Sequence, residues 1–156
     1  MVQRRVSARG VPAPASLRRW ATAALERNRA DVTVRIVGNQ ESQLLNRQFR
    51  GKDKPTNVLS FPYQTTRPKA APNVLSPLRG ERFGEGRVVG DIVVCAPVVA
   101  REAREQRKAP AAHWAHMVVH GVLHLRGFDH QRAADARRME ARERRLLAAF
   151  AFPDPY

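Results

Sequence analysis

Residues 113–130 read HWAHMVVHGVLHLRGFDH, and they hold all five histidines of a 156-residue chain. Met117, Val118, Val119, Val122 and Leu123 give the stretch the apolar body of a buried helix, and Pro110 stands where such a helix can open. His120 and His124 are four apart, so on a helix they share a face one turn from each other. Gly127 follows three residues later, and a glycine there lets the helix stop in a left-handed turn. That turn reverses the chain and allows His130 to swing back toward the pair. Three neutral imidazoles leave the fourth position of a tetrahedral Zn²⁺ open, as in catalytic rather than structural sites. His116 lies on the same stripe. However, His116, His120 and His124 span about 12 Å of helix axis, whereas nitrogens on one ion lie within about 4 Å of each other. His116 is therefore expected to pack beside the ligands or brace one of them, and His113 to sit on the helix surface.

Working outward, Val2 to Ala8 alternates weakly, as an edge strand would, until Pro12 and Pro14. Ser16 is placed to cap a helix through about Arg29, with Leu17, Trp20, Ala21, Ala24 and Leu25 on one face. Residues 31–37 alternate Val32, Val34 and Ile36 with polar neighbours, the period of a strand. Asn39 caps a second helix, residues 40–49, with Leu44 and Leu45 inward. A basic loop follows, then the short strand 58–61. The stretch 64–88 is rich in proline, glycine and basic residues and has no helical or strand period, so it reads as one long basic loop. Residues 90–95 form an apolar strand, Pro97 opens a helix to about Lys108, and residues 131–150 form a last helix with its mixed charges outward. The order β-α-β-α-β-loop-β-α-α-α predicts a single α+β domain over 1–156, a small mixed sheet of about four strands packed with about five helices.

Twenty-eight Lys and Arg face 14 Asp and Glu, a net charge of +14. A chain so basic attracts polyanions, nucleic acid foremost, and its preference for Arg suits bidentate phosphate contacts. No stretch approaches the roughly 20 apolar residues of a membrane span. The Arg-rich, acid-poor start shares its composition with a mitochondrial presequence but lacks a clear amphipathic helix. Cys95 is the sole cysteine, so no internal disulfide can form, which fits a cytoplasmic setting. Cys95 is a conceivable fourth metal ligand, which would close the site, or simply a buried thiol.

The offsets 120, 124 and 130 with Gly127 between are those of the metzincin proteases, H-E-x-x-H-x-x-G-x-x-H. The glutamate that acts there as general base is replaced here by Gly121, which cannot move a proton. A Zn²⁺ on three neutral rings keeps its full charge and suits an anionic substrate such as a phosphodiester. Displacement at phosphorus also needs charge neutralisation on the non-bridging oxygens. Arg50, followed by Lys52 and Lys54, offers it. Asp129 can orient an imidazole or shape the turn, and Asp91 at a strand start reads as structural.

The string from His120 to His130 resembles the signature of the YbeY family, bacterial endoribonucleases of ribosomal RNA maturation. Residues 49–62, FRGKDKPTNVLSFP, resemble that family's second block and residues 90–95 its third, in the family's order. The resemblance implies a zinc-dependent, single-strand-specific endoribonuclease with one Zn²⁺ per chain. It would act in 16S rRNA 3′-end processing and ribosome quality control in the cytoplasm, alongside the small ribosomal subunit and its assembly factors. It implies His120, His124 and His130 as ligands and Arg50 as the required arginine. Lys52 and Lys54 would help bind substrate, with His116 and Asp129 behind the ligands. The rivals are an RNA-binding assembly factor whose zinc only braces the fold, and another metallohydrolase such as a metzincin-like protease. Whether water or the ribose 2′-OH attacks is left open by the residues.

Overall fold

In a computed structural model, which describes residues 1–63 and 88–156, the chain runs β1 (Val2–Arg4), α1 (Pro14–Leu25), β2 (Ala30–Val37), α2 (Asn39–Arg50), β3 (Val58–Pro62), β4 (Val88–Cys95), α3 (Ala96–Glu105), α4 (Pro110–Leu125) and α5 (Ala133–Ala148). The strands form one sheet in the order β1-β2-β4-β3. β1 and β4 both run parallel to β2, with Val2 opposite Val34 and Val34 opposite Ile92. β3 returns antiparallel to β4, with Val58 opposite Val94. This is the mixed α+β sheet that the alternating elements predict. The expected loop 64–88 lies outside the described residues except for Val88, which already belongs to β4.

Element ends differ from expectation for local reasons. Helix α1 opens at Pro14 rather than after Ser16, because proline fits the first turn, where no N–H partner is needed. Gly38, not Asn39, occupies the N-cap of α2, and Asn39 Oδ1 instead accepts the Cys95 thiol at 3.6 Å. Leu44, expected inward, is 56% exposed. The buried side of α2 carries Ser42 and Asn46 instead, because that side must hydrogen-bond a loop. Ser42 Oγ donates to Thr56 O at 2.9 Å and accepts the Thr56 N–H at 3.0 Å, and Asn46 Nδ2 donates to Lys54 O at 2.7 Å.

The sheet has an apolar cluster on each face. Val34, Ile36, Val58, Ile92 and Val94 join α1, α4 and α5 in the larger one, with Trp114 almost wholly enclosed. Val37, Leu59, Val93 and Cys95 join Val98, Leu45 and Phe61 in the smaller one, under α2. Period-two alternation in β4 sends neighbouring residues to opposite clusters. Gly121 lets α4 settle on the first face: a Cβ there would meet Ile92 Cγ2 and Val58 Cγ2, each at 3.1 Å. Ser60 Oγ donates to the Gly121 carbonyl at 2.9 Å, which ties the helix to β3.

Candidate metal centre

The last turn of α4 ends in a double hydrogen bond. The Gly127 N–H donates to His124 O at 2.9 Å and the Phe128 N–H to Leu123 O at 3.0 Å, with Gly127 at φ 90°. This is the Schellman ending, sealed by Leu123 and Phe128 in the same apolar cluster. It turns the chain so that His130 comes back over the helix. The Asp129 carboxylate accepts the His130 N–H at 2.7 Å, so it shapes the turn, one of the two roles its position allowed.

The structure brings His120, His124 and His130 together, with one donor nitrogen of each within 4.8 Å of the others. His120 Nε2 and His124 Nε2 are 3.1 Å apart. Two nitrogens bound tetrahedrally at about 2.0–2.1 Å are about 3.3–3.4 Å apart, so this pair has nearly the spacing of ligands on one ion. The ring of His130 is exposed and lies 5.0 Å by centroid from His124 and 5.6 Å from His120. Burial first, then repulsion from His120 and His130, pushes His124 down to about 4. Its ring is therefore neutral at pH 7, with a lone pair free for a cation. The donor set fits Zn²⁺, which favours imidazole.

Behind His120 stands a residue that sequence reading assigned to the solvated face. Glu143 of α5 is fully buried. Its Oε1 lies 2.7 Å from His120 Nδ1, and the Tyr156 hydroxyl donates to its Oε2. Burial works to raise the Glu143 carboxyl, but the approach of His116, His120 and Tyr156 overrides it and holds the group at about 2. An ionised Glu143 makes Nδ1 the protonated nitrogen of His120 and leaves Nε2 bare on the side of His124. A carboxylate behind a ligating histidine fixes the tautomer and strengthens the ligand. The signal was present in the sequence: Met139, Glu143, Leu146 and Leu147 follow the i, i+4, i+7, i+8 pattern of one buried stripe. Tyr156 reaches Glu143 because Asp154 accepts the Tyr156 N–H at 3.0 Å and pairs with Arg144 at 2.9 Å.

His116 is buried as expected, yet neither ring nitrogen makes a hydrogen bond. Its Nε2 is 3.6 Å from Glu143 Oε2, too long for one. With His120 and Glu143 it forms a second group of possible ligand atoms. His113, expected on the surface, is 2% exposed. Its Nε2 lies 2.8 Å from Glu102 Oε2, and Glu102 in turn accepts from Asn57 Nδ2 at 3.2 Å, just before β3. Cys95 lies in the apolar cluster under α2, on the other side of the sheet from α4, away from the three rings.

Arg50 ends α2 on that same opposite face and is exposed, as are Lys52 and Lys54. Among the described residues no hydrogen bond or ion pair joins Arg50 to the histidines. Helix residues advance by about 100° each, so His120 and His124 project to one side of Gly121, the side that also carries His113 toward Asn57. The opposite flank holds Arg126, whose guanidinium donates to Ala24 O at 2.7 Å. Among the described strands β3 is at the edge of the sheet; α4 meets one side of it through Ser60 and Gly121, and α2 covers the other through Phe49 and Phe61.

A family model described as Endoribonuclease YbeY matches residues 7–151. A protein of Halorhodospira halophila named Endoribonuclease YbeY is 57% identical over 126 residues, covering 81% of this chain and 74% of that protein. One of the same name from Methylococcus capsulatus is 49% identical over 152 residues, covering 97% of this chain and 91% of the relative. The solution structure of TM1509 from Thermotoga maritima shares the fold, with a TM-score of 0.52 at 24% identity over 99% of this chain and 98% of that one.

Proposed function

This chain belongs to the YbeY endoribonuclease family, and from that premise we propose that it is a zinc-dependent, single-strand-specific endoribonuclease of one domain over residues 1–156. Its role would be 16S rRNA 3′-end processing and ribosome quality control in the cytoplasm, in company with the small ribosomal subunit and its assembly factors. The observation that carries the reading is the 3.1 Å approach of His120 Nε2 and His124 Nε2, with His130 beside them and an ionised Glu143 behind. His120, His124 and His130 would hold one Zn²⁺, which supplies Lewis-acid polarisation of a phosphate oxygen and of the attacking group. Glu143 keeps His120 in the tautomer that ligation requires. Arg50 neutralises charge on the non-bridging oxygens as the phosphorus becomes five-coordinate. Lys52 and Lys54 hold the flanking phosphates. Asp129, bonded to the His130 N–H, keeps the turn that returns His130, and His116 packs against Glu143.

Metal-replete protein should cut a single-stranded RNA and lose about 10²–10³-fold in turnover on Arg50→Ala, the usual cost of removing one group aimed at a developing charge. A substrate with a single 2′-deoxy residue at the scissile position identifies the nucleophile: cleavage means water, resistance means the ribose hydroxyl. Metal-loaded protein that cuts no RNA, or cuts it equally well without Arg50, would defeat the reading. The zinc-braced assembly factor requires a fourth protein ligand. The position of Cys95 under α2 argues against its serving as one.

A further inference from the structure

Five large apolar side chains are well exposed among the described residues: Met1, Leu44, Phe49, Tyr63 and Tyr156. Tyr156 is accounted for by Glu143. Phe49 and Tyr63 have no link to the three histidine rings, and both lie on the α2 side of β3, each beside Phe61 or its strand. The Phe49 ring meets Phe61 edge-on at 4.9 Å between centroids. Phe61 and Tyr63 are two residues apart, so they point to the same face of the strand. The Tyr63 N–H continues the ladder to Val89 O at 2.9 Å, and the Tyr63 hydroxyl donates to Asp91, which fixes the ring. Phe49 is 57% exposed and Tyr63 54%, while Phe61 is half-buried.

Among the described residues around the rings are four exposed cations, Arg47, Arg50, Lys52 and Lys54, and two carboxylates, Asp53 and the Asp91 that accepts from Tyr63. The Asp53 side chain accepts from Gln43 Nε2 at 3.0 Å and lies 4.0 Å from the Arg47 guanidinium, and Asp91 is taken up by the Tyr63 hydroxyl, which leaves Arg50, Lys52 and Lys54 as the excess positive charge. The loop that carries Lys52 and Lys54 is held by Ser42 and Asn46, so its charges are pre-positioned rather than trailing. Aromatic faces beside a positive track are what binds unpaired nucleotides without sequence preference, because every base has a π-face and a duplex hides its own.

We propose that Phe49, Phe61 and Tyr63 form a stacking platform for unpaired bases of single-stranded RNA, next to the Arg50–Lys54 phosphate track. Bases seated there would leave the backbone free to cross the outer strand toward the histidines. The platform would then select single strands, since a base-paired strand cannot splay its bases onto the rings. This rests on the endoribonuclease reading and adds to it the surface that recognises the substrate.

The test uses a fluorescent 2′-O-methyl octa-adenylate, the same sequence in a duplex, and an abasic octamer, with binding followed by anisotropy on full-length, zinc-loaded protein. Phe49→Leu and Tyr63→Leu should each weaken octa-adenylate binding about tenfold and leave the abasic octamer unchanged. The preference for single strand over duplex should shrink by the same factor. Phe49→Trp should retain binding and show quenched emission on adding octa-adenylate, which separates stacking from loss of fold. Unchanged affinity in both leucine variants overturns the platform, as does an equal loss for abasic and base-bearing oligomers. A shift in sedimentation mass with RNA affinity intact would assign the rings to contact between copies of the chain and would also overturn it. Ring-dependent binding by wild-type protein that cleaves nothing would sink the nuclease reading and leave the platform standing.

Discussion

On one face of the sheet, α4 lays Gly121 against Ile92 and Val58, with a ring of fully buried aliphatic residues and Trp114 around it. On the other, α2 meets the strands with a smaller cluster and spends its buried side on Ser42 and Asn46, which hold a basic loop by its backbone. The first face is closely packed, and it brings His116, His120 and His124 against the buried Glu143. The second is polar, with its aromatic and cationic groups turned outward. A metal site needs ligands that cannot wander, whereas a surface meeting a flexible polyanion needs charge and exposed rings more than rigidity. One sheet four strands wide serves both because alternate residues of β3 and β4 look opposite ways.

The largest expected effect breaks the first face. Gly121→Glu would restore the proteases' base in name only, because the new Cβ points at Ile92 and Val58 and the carboxylate would be buried without a partner. Overpacking of about 1–3 kcal/mol plus the cost of burying the polar group should leave little folded protein. Thermal unfolding would show it, and no peptidase activity should appear. A stable, proteolytic variant would mean that residue 121 faces the histidines instead.

Next comes the carboxylate behind the ligand. Glu143→Gln keeps the shape but loses the charge, so zinc affinity should fall about 10–100-fold, measured by competition with a chelating dye. Because the readout is metal binding, an effect on apo-protein melting alone would show Glu143 to be a packing residue only.

On the α2 face, Asn46→Ala frees Lys54 O and should cost about 1 kcal/mol, with a larger rise in the substrate's KM than fall in kcat. A drop in kcat alone would show that the loop acts on the reacting phosphate, as Arg50 does, and not on binding. The smallest effect is one of acidity. His124 is held down to about 4 from 6.5, so below pH 6.5 the unfolded chain takes up a proton that the folded chain refuses. Metal-free protein should therefore lose stability progressively as pH falls from about 6.5 to 4, and bound zinc should steepen the loss by dissociating. A flat denaturation midpoint across that window would place His124 in water.

Much of this was legible because it is local. Four-residue spacing on an apolar helix, a glycine three residues after it and alternation in residues 31–37 all follow from backbone periodicity, which a chain carries wherever it folds. The α+β order and the turn that returns His130 are of this kind. Glu143, Leu44 and His113 were misassigned for the opposite reason. Whether a helix face meets water or a neighbour is set by elements far away in the chain. Charge argued that Glu143 faced solvent, while its place on the Met139–Leu147 stripe argued that it did not.

What the residues alone determined is therefore the element order, the excess of positive charge and a pair of imidazoles one turn apart beside a glycine stop. Only tertiary packing decided that a carboxylate twenty-three residues beyond His120 would stand behind that ring, that Gly121 would press against two strands, and that Arg50 would leave from the far side of the sheet. Periodicity is written in bonds between neighbours, whereas burial depends on which distant surfaces exclude water together.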